Sequence, residues 1–255
     1  MPSRWSLLLS VRDPGVVRPE QLYGLIAGWI EAGIDDTGHH APRKPYTLSP
    51  LRPLPGRPAG HVAIDVGFLD DDLAARLLAA AGELVAVSGR LGRQAVRCLP
   101  WPDGRIGRLE SAADWADLAT ERQVGDQFSV RLLSPTAFRS GRIHLPFPLP
   151  GLVLGHLREQ WTRWGPDVAH PSIDDCDVAV VDYRLDCIQL TLRGRPVVAS
   201  VGEVTYRVGS RDVEHRRAIG RWLALLPFAS VGADTRMGLG QAEAHLIRDH
   251  RVPAR

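Results

Sequence analysis

The sequence has very little lysine, few cysteines and no long apolar run. Lys44 is the single lysine among 31 lysine and arginine residues, so arginine carries nearly all of the positive charge. The planar guanidinium group of arginine matches the geometry of a phosphate better than the ammonium group of lysine does. The net charge is only +2, so binding to a polyanion has to rely on local clusters rather than on a global field. Such clusters are present, although solvated loops have the same composition: Arg43, Lys44, Arg52 and Arg57; Arg90, Arg93 and Arg97; Arg139 and Arg142.

The scarcity of cysteine and of apolar runs excludes several classes of protein. The three cysteines, Cys98, Cys176 and Cys187, are odd in number and far apart, which fits neither a disulfide framework nor a metal knuckle. The apolar run from Trp5 to Val11 is too short for the core of a signal peptide. No run approaches the ~20 apolar residues that a membrane span needs. We therefore expect a cytoplasmic protein that does not associate with membranes.

Apolar periodicity predicts an α+β fold of two tandem ferredoxin-like (βαββαβ) domains. The first half has the order strand, helix, strand, strand, helix, strand, beginning with a buried strand at residues 4–11. Pro19 is typical of a helix start, and Leu84–Val87 is predicted to be a strand. The second half is predicted to have a similar order of strands and helices.

The predicted domains are residues 1–122 and 123–255. The mixed segment from Trp101 to Val124 is interpreted as a linker between them. In the second domain, Val178–Val181 and Ile188–Leu192 are predicted as separate strands.

A glycine-rich stretch near the C-terminus joins an amphipathic helix to the last strand. Gly232, Gly238 and Gly240 surround Arg236. Glycine permits positive φ and a close approach of another backbone. Successive backbone N–H groups in such a loop form a cradle for anions, and Arg236 adds a charge that can bind phosphate. A tight helix-to-strand turn has the same composition, so both interpretations stay open.

A loop after the first helix carries the densest set of reactive groups. His39 and His40 are adjacent there, Lys44 follows closely, and Tyr23 lies on the preceding helix. Histidine titrates near neutrality and can act as general acid or base, and lysine can stabilise extra charge on a phosphate. This set fits metal-free RNA cleavage by the strand's own 2′-hydroxyl.

Two other interpretations of this loop remain open. It can be a solvated loop without function, or Asp35 and Asp36 can join His39 and His40 as metal ligands. A further constellation, Ser134–Gly141, places Arg139 and Arg142 around a Ser-Gly turn, which suits phosphate binding but also an ordinary loop.

Three motifs together resemble the CRISPR repeat-processing endoribonucleases of the RAMP superfamily. The first is the His39-His40 loop with the run Lys44-Pro45-Tyr46-Thr47-Leu48-Ser49-Pro50-Leu51. The second is Ser134-Pro135-Thr136-Ala137-Phe138-Arg139 with the following helix through Trp161, and the third is the glycine-rich stretch. They occur in the order of the family and span most of the chain.

The resemblance implies an enzyme that cuts precursor crRNA within each repeat without a metal ion or cofactor, leaving a 5′-hydroxyl and a cyclic phosphate. It implies that His39 or His40, with Lys44 and Tyr23, is catalytic. RNA binding would fall to Arg43, Arg139, Arg142, Arg236 and the three glycines Gly232, Gly238 and Gly240. Implied partners are CRISPR repeat RNA, other CRISPR effector subunits and a second copy of the chain in a homodimer.

Two rival functions remain from the sequence. A non-catalytic RNA-binding RAMP subunit of an effector complex would bind repeat RNA without cutting it. A metal-dependent nuclease would lose its activity in EDTA.

Overall fold

A computed structural model of the protein describes residues 1–31, 44–85, 89–120, 123–141 and 143–247. In the first half of the chain, antiparallel strands form one sheet and two long helices pack on one of its faces. The elements are β1 (Ser3–Val11), α1 (Pro19–Ile30), β2 (Tyr46–Leu48), β3 (Arg52–Pro53), β4 (His61–Phe68), α2 (Asp71–Glu83), β5 (Gly89–Leu91), β6 (Gln94–Leu99) and β7 (Gly107–Ala112).

Strand β1 lies at the centre of this first sheet. The strand order is β2-β4-β1-β6-β5, and β1 pairs antiparallel with both β4 and β6. Leu7 and Leu9 face the helices, because alternate residues of a strand point to the same side. Leu22 and Ile26 of α1 meet them from above at helical spacing. This order and pairing are those of the predicted ferredoxin-like domain.

The second half of the chain repeats the same plan. Its four-stranded sheet has the order β11-β12-β8-β13, again antiparallel throughout. The fully buried Trp161 and Trp222 fill the space between this sheet and its helices. The elements are α3 (Trp115–Ala119), β8 (Gln127–Thr136), β9 (Phe138–Ser140), β10 (Ile143–Leu145), α4 (Pro150–Trp164), β11 (Val178–Leu192), β12 (Arg195–Val208), α5 (Val213–Ala224), α6 (Leu226–Ala229) and β13 (Ala242–Ile247).

The segment predicted to be a linker is instead divided between the two domains. Strand β7 pairs with β1 and extends the first sheet. Helix α3 packs against the second core, where Trp115 makes an edge-on contact with Trp161 at 5.3 Å between ring centroids. Strand β7 is short and mostly exposed and carries Arg108 and Glu110, so it lacks an apolar pattern, whereas the helical piece around Trp115 is visible in the sequence. The boundary at residues 122 and 123 stays a prediction.

Three predicted strands have different bounds. Val178–Val181 and Ile188–Leu192 belong to one continuous strand, β11, whose register against β12 shifts between Val180 and Asp182. The exposed middle of β11 breaks the apolar alternation, so the sequence suggests two strands. Of the predicted strand Leu84–Val87, Leu84 and Val85 instead form a turn after α2, while Ala86 and Val87 lie outside the described residues, and β5 begins at Gly89.

The two domains contact each other through β2 and β4 of the first and the segment after α5 of the second. The Thr47 hydroxyl donates a hydrogen bond to the Phe228 carbonyl at 3.0 Å. Gln241 Nε2 donates to the Leu48 carbonyl at 3.0 Å. Gly67 has to lack a side chain, because a Cβ there would lie 2.3 Å from the Phe228 carbonyl oxygen.

A further contact between the domains lies at the tip of the β11–β12 hairpin. There the backbone N–H of Arg193 donates to the Glu20 carboxylate of α1.

Through the described ranges, none of the helices combines the length and the apolar character that a membrane crossing requires.

Candidate functional site

A cavity of about 450 Å³ opens between the two domains. Tyr23 of α1 and Lys44, just before β2, line its N-terminal wall. Arg139 of β9 and the segment with Gly232 and Arg236 line its C-terminal wall. Five residues that the sequence singled out are thus brought together from distant parts of the chain.

The N-terminal wall contains a buried network of charges. Lys44 forms an ion pair with Glu31, the residue after α1, and both side chains are only 5% exposed. The Tyr46 hydroxyl donates to Glu31 Oε1 at 2.6 Å. Burial, and then the hydrogen bond and negative charge of Glu31, raise the pKa of Tyr46 well above its usual value. The charge of Lys44 is therefore balanced by Glu31 and is not that of a solvated lysine.

Tyr23 and Arg236 meet across the domain boundary. The Cζ atom of Arg236 lies over the Tyr23 ring, 5.5 Å from its centroid. This is a cation–π contact, because the ring face carries partial negative charge. It links α1 of the first domain to the glycine-rich stretch of the second.

The glycine-rich stretch is a turn held by its own backbone. The N–H groups of Val231, Ala233 and Gly240 donate to the carbonyls of Gly240, Ala137 and Pro135 at 2.8, 2.7 and 3.0 Å. These donors are directed inward, so the interpretation as an anion cradle is wrong for these three N–H groups. The turn interpretation describes their geometry.

The glycines of this stretch are needed for close approach of backbones. Gly240 has φ +76°, and a Cβ there would lie 2.0 Å from the Val231 carbonyl oxygen. Gly238 has φ +84°, and its Cβ would lie 3.0 Å from the backbone nitrogen of Pro50 in the first domain. Gly240 therefore lets the stretch close on itself and Gly238 lets it pack on the first domain, and neither residue is among those that line the cavity.

Arg139 is the most exposed of the predicted site residues that the structure describes. Its side chain is 61% exposed and lies 3.6 Å from Oδ2 of Asp234 in the glycine-rich stretch. His144 Nε2 lies at the same distance from that oxygen. In this open setting the ion pair is weak, and Arg139 can exchange Asp234 for another anion.

Some predicted residues lie outside the described part of the chain, namely His39, His40, Arg43 and Arg142, together with the alternative metal ligands Asp35 and Asp36. Within the described residues, no group of three or more His, Cys, Asp or Glu side chains is placed to hold a metal ion.

The sequence reasoning missed two residues of the site, Glu31 and Arg193. An acidic residue at the end of α1, shortly before the single lysine, is the signal that could have identified Glu31.

Comparisons with known proteins agree with this architecture. Residues 130–242 match the family model described as CRISPR-associated endoribonuclease Cas6. No curated protein sequence gives a significant match.

Solved structures match over almost the whole chain. The product complex of Cas6 (TTHB231), a protein from Thermus thermophilus, is 27% identical, with a TM-score of 0.79 over 96% of this chain and 100% of that one. The product complex of Cas6 (TTHA0078) is 22% identical, with a TM-score of 0.78 over 96% and 99% of the two chains. A Cas6-related protein from Pyrococcus furiosus, 13% identical with a TM-score of 0.62 over 97% and 100%, shares the fold.

The family model matches most of the second half of the chain, and the fold shared with the solved structures extends over both domains. The chain is therefore similar to the CRISPR-associated endoribonuclease Cas6 family, in sequence over residues 130–242 and in fold over both domains.

Proposed function

We propose that the protein binds the repeat of a CRISPR transcript in the cavity between its domains and cuts it once, without a metal ion. The observation that carries the proposal is the cavity itself. It gathers a tyrosine, the single lysine and several arginines from both domains around one space. The solved product complexes are of proteins that share this fold.

The proposed reaction is attack by the RNA's own 2′-hydroxyl on the adjacent phosphorus. One group removes the 2′ proton, a second stabilises the crowded phosphate, and a third protonates the leaving 5′ oxygen. The products are a 2′,3′-cyclic phosphate and a 5′-hydroxyl. We assign proton transfer to His39 or His40 from the sequence, phosphate stabilisation to Lys44, and a supporting role to Tyr23.

Arginines are proposed to hold the RNA backbone around this centre. Arg139 is exposed at the cavity mouth, and Arg193 reaches the same cavity from the hairpin tip. Arg43 and Arg142 are assigned the same role from the sequence. Because the net charge is only +2, these contacts act locally.

The ion pair between Lys44 and Glu31 favours a second candidate function. A lysine whose charge is already balanced contributes less to stabilising a phosphate than a free one. This observation suits a non-catalytic RNA-binding subunit that hands its RNA to other effector subunits, alone or as a homodimer. Such a subunit would use the same cavity for binding only.

The decisive experiment incubates the purified protein with its own labelled repeat RNA in EDTA. A matched repeat carries a 2′-deoxy nucleotide at the scissile position. Cleavage of the first RNA and not the second supports metal-free attack by the 2′-hydroxyl. Tight binding of both without cleavage supports the non-catalytic subunit, and cleavage that EDTA abolishes contradicts both.

The assignment of the histidines has its own test. The double variant His39→Ala/His40→Ala should lose cleavage and keep its affinity for the repeat. His245→Ala is the matched control, since His245 is 55% exposed on β13 and pairs with Glu243 away from the cavity. Cleavage by the double variant at the wild-type rate would contradict the assignment.

A further inference from the structure

We infer that Arg236, supported by Tyr23, is a stacking platform for one nucleobase next to the scissile phosphate, rather than a clamp on the RNA backbone. The inference rests on the proposed function and deepens it. It assigns a base-positioning role to two residues that the sequence suggested for phosphate binding and catalysis.

Tyr23 is fixed from two sides. Its ring packs against the core of the first domain and against a separate apolar cluster that includes Met237 and Leu239 of the second. It also lies within α1, in the middle of a regular helix. The ring is therefore held firmly in place, and it lines the cavity.

Arg236 is held over this ring by the backbone on both sides of it. It belongs to a single turn of 3-10 helix, Thr235–Met237, between Asp234 and Gly238, which both have positive φ. The Met237 N–H donates to the Asp234 carbonyl at 2.8 Å and closes this turn. The guanidinium group then lies over Tyr23 at 5.5 Å.

The charge of Arg236 is not balanced in the way that the charge of Arg139 is. Among the described residues, Arg236 has no carboxylate within ion-pair distance, whereas Arg139 has Asp234. The guanidinium group of Arg236 also lines the cavity, where it is open to contact with a ligand. Unpaired RNA bases stack on guanidinium planes as they do on aromatic rings.

The cavity leaves room for the base beside Gly151. Gly151 of α4 lines the cavity, and nothing lies within 4 Å of the position that its Cβ would take. The apolar side chains of Phe138 and Leu152 and the amide of Gln160 also line the cavity. An apolar wall with a few polar groups is the environment that a flat heterocycle prefers.

The test is a double-mutant cycle between the protein and the RNA. Affinity is measured for the uncleavable 2′-deoxy repeat, intact or with the base removed at either nucleotide that flanks the scissile phosphate. Arg236→Lys keeps the charge and removes the plane, so it should weaken binding of the intact RNA about tenfold. Removing the base should weaken wild-type binding by a similar factor and leave Arg236→Lys unaffected.

Two further variants separate stacking from general damage. Tyr23→Leu should show the same loss as Arg236→Lys and the same insensitivity to base removal. Gly151→Leu should weaken binding by filling the space, whereas Gly82→Leu on α2, where a Cβ is equally unobstructed, should not. Thermal unfolding of each variant confirms that it is folded.

Each outcome decides a different question. If Arg236→Lys loses as much affinity on base removal as the wild type does at both positions, the platform is wrong and Arg236 holds a phosphate. If the wild type neither binds nor cuts the repeat, the proposed function itself is wrong.

Discussion

The two walls of the cavity are held in place by different means. On the N-terminal wall, buried side-chain charges fix the geometry: Glu31 pairs with Lys44 and accepts a hydrogen bond from Tyr46. On the C-terminal wall, the backbone fixes the geometry, and side chains such as Arg139 stay exposed. A change of charge on the N-terminal wall should therefore lower the stability of the protein, whereas on the C-terminal wall an added Cβ atom should do so.

The largest effect is expected from removing one charge of the buried pair. Glu31→Gln leaves Lys44 as a buried cation without its counter-charge, which should cost about 3–5 kcal/mol of unfolding free energy. Urea unfolding measures this cost. The control is Glu214→Gln, which breaks an exposed pair with Arg217 and should cost no more than about 1 kcal/mol. Equal losses in the two variants would remove the distinction between the walls.

Adding a single methyl group to the glycine-rich stretch behind the C-terminal wall should lower the free energy of unfolding. Gly240→Ala combines a positive φ with a Cβ 2.0 Å from a carbonyl oxygen, so we expect a loss of about 2–4 kcal/mol. Gly194 has nearly the same φ, +73°, but open space around its Cβ. Gly194→Ala should therefore cost only about 1 kcal/mol. Unfolding curves that do not separate the two variants would contradict the role of close packing.

The hydrogen bond of Tyr46 gives the N-terminal wall a dependence on pH. The pKa of Tyr46 is raised in the folded state, so the unfolded chain releases this proton first, near pH 10. The stabilisation is complete below that pH and is lost as the pH rises. Tyr46→Phe should cost about 1.5–3 kcal/mol at pH 8 and should show a smaller fall in stability between pH 9 and pH 10.5.

Tyr206 provides the comparison for that measurement. Burial in the second core also raises its pKa. Tyr206→Phe should likewise reduce the fall in stability at high pH, but of the two variants only Tyr46→Phe should alter cleavage, because Tyr46, unlike Tyr206, donates a hydrogen bond to Glu31. An unchanged pH dependence in Tyr46→Phe would contradict the network.

The smallest effect is expected from the exposed arginine of the C-terminal wall. Arg139→Ala should weaken RNA binding a few-fold and lower the slope of log affinity against log salt by about 0.7, without changing stability. The control is Arg217→Ala, an exposed, paired arginine outside the cavity lining. A salt slope that both variants leave unchanged would exclude a phosphate contact at Arg139.

The sequence predicted the tandem fold because local apolar periodicity determines most of it. Leu22 and Ile26 identify α1, and the alternation Val62, Ile64, Val66 identifies β4. The features that escaped prediction depend on long-range contacts or on exposed residues. The exposed middle of β11 hides a continuous strand.

The candidate site was only partly predictable for the same reason. The motifs pointed to Tyr23, Lys44 and Arg236, and the structure brings them into one cavity. Their relations were not visible, because the contact of Arg236 with Tyr23 joins opposite ends of the chain. Glu31 looks like an ordinary charged helix end until the fold buries it beside Lys44.

The contacts between the two domains are independent of the peptide that connects them. The chain passes from the first sheet into the second core between β7 and α3, while β2, β4 and α1 hold the second domain through separate contacts. A polypeptide interrupted after Ala112 should therefore reassemble from its two fragments. Producing the two fragments separately and mixing them would then report on whether the cavity between the domains forms without the covalent link.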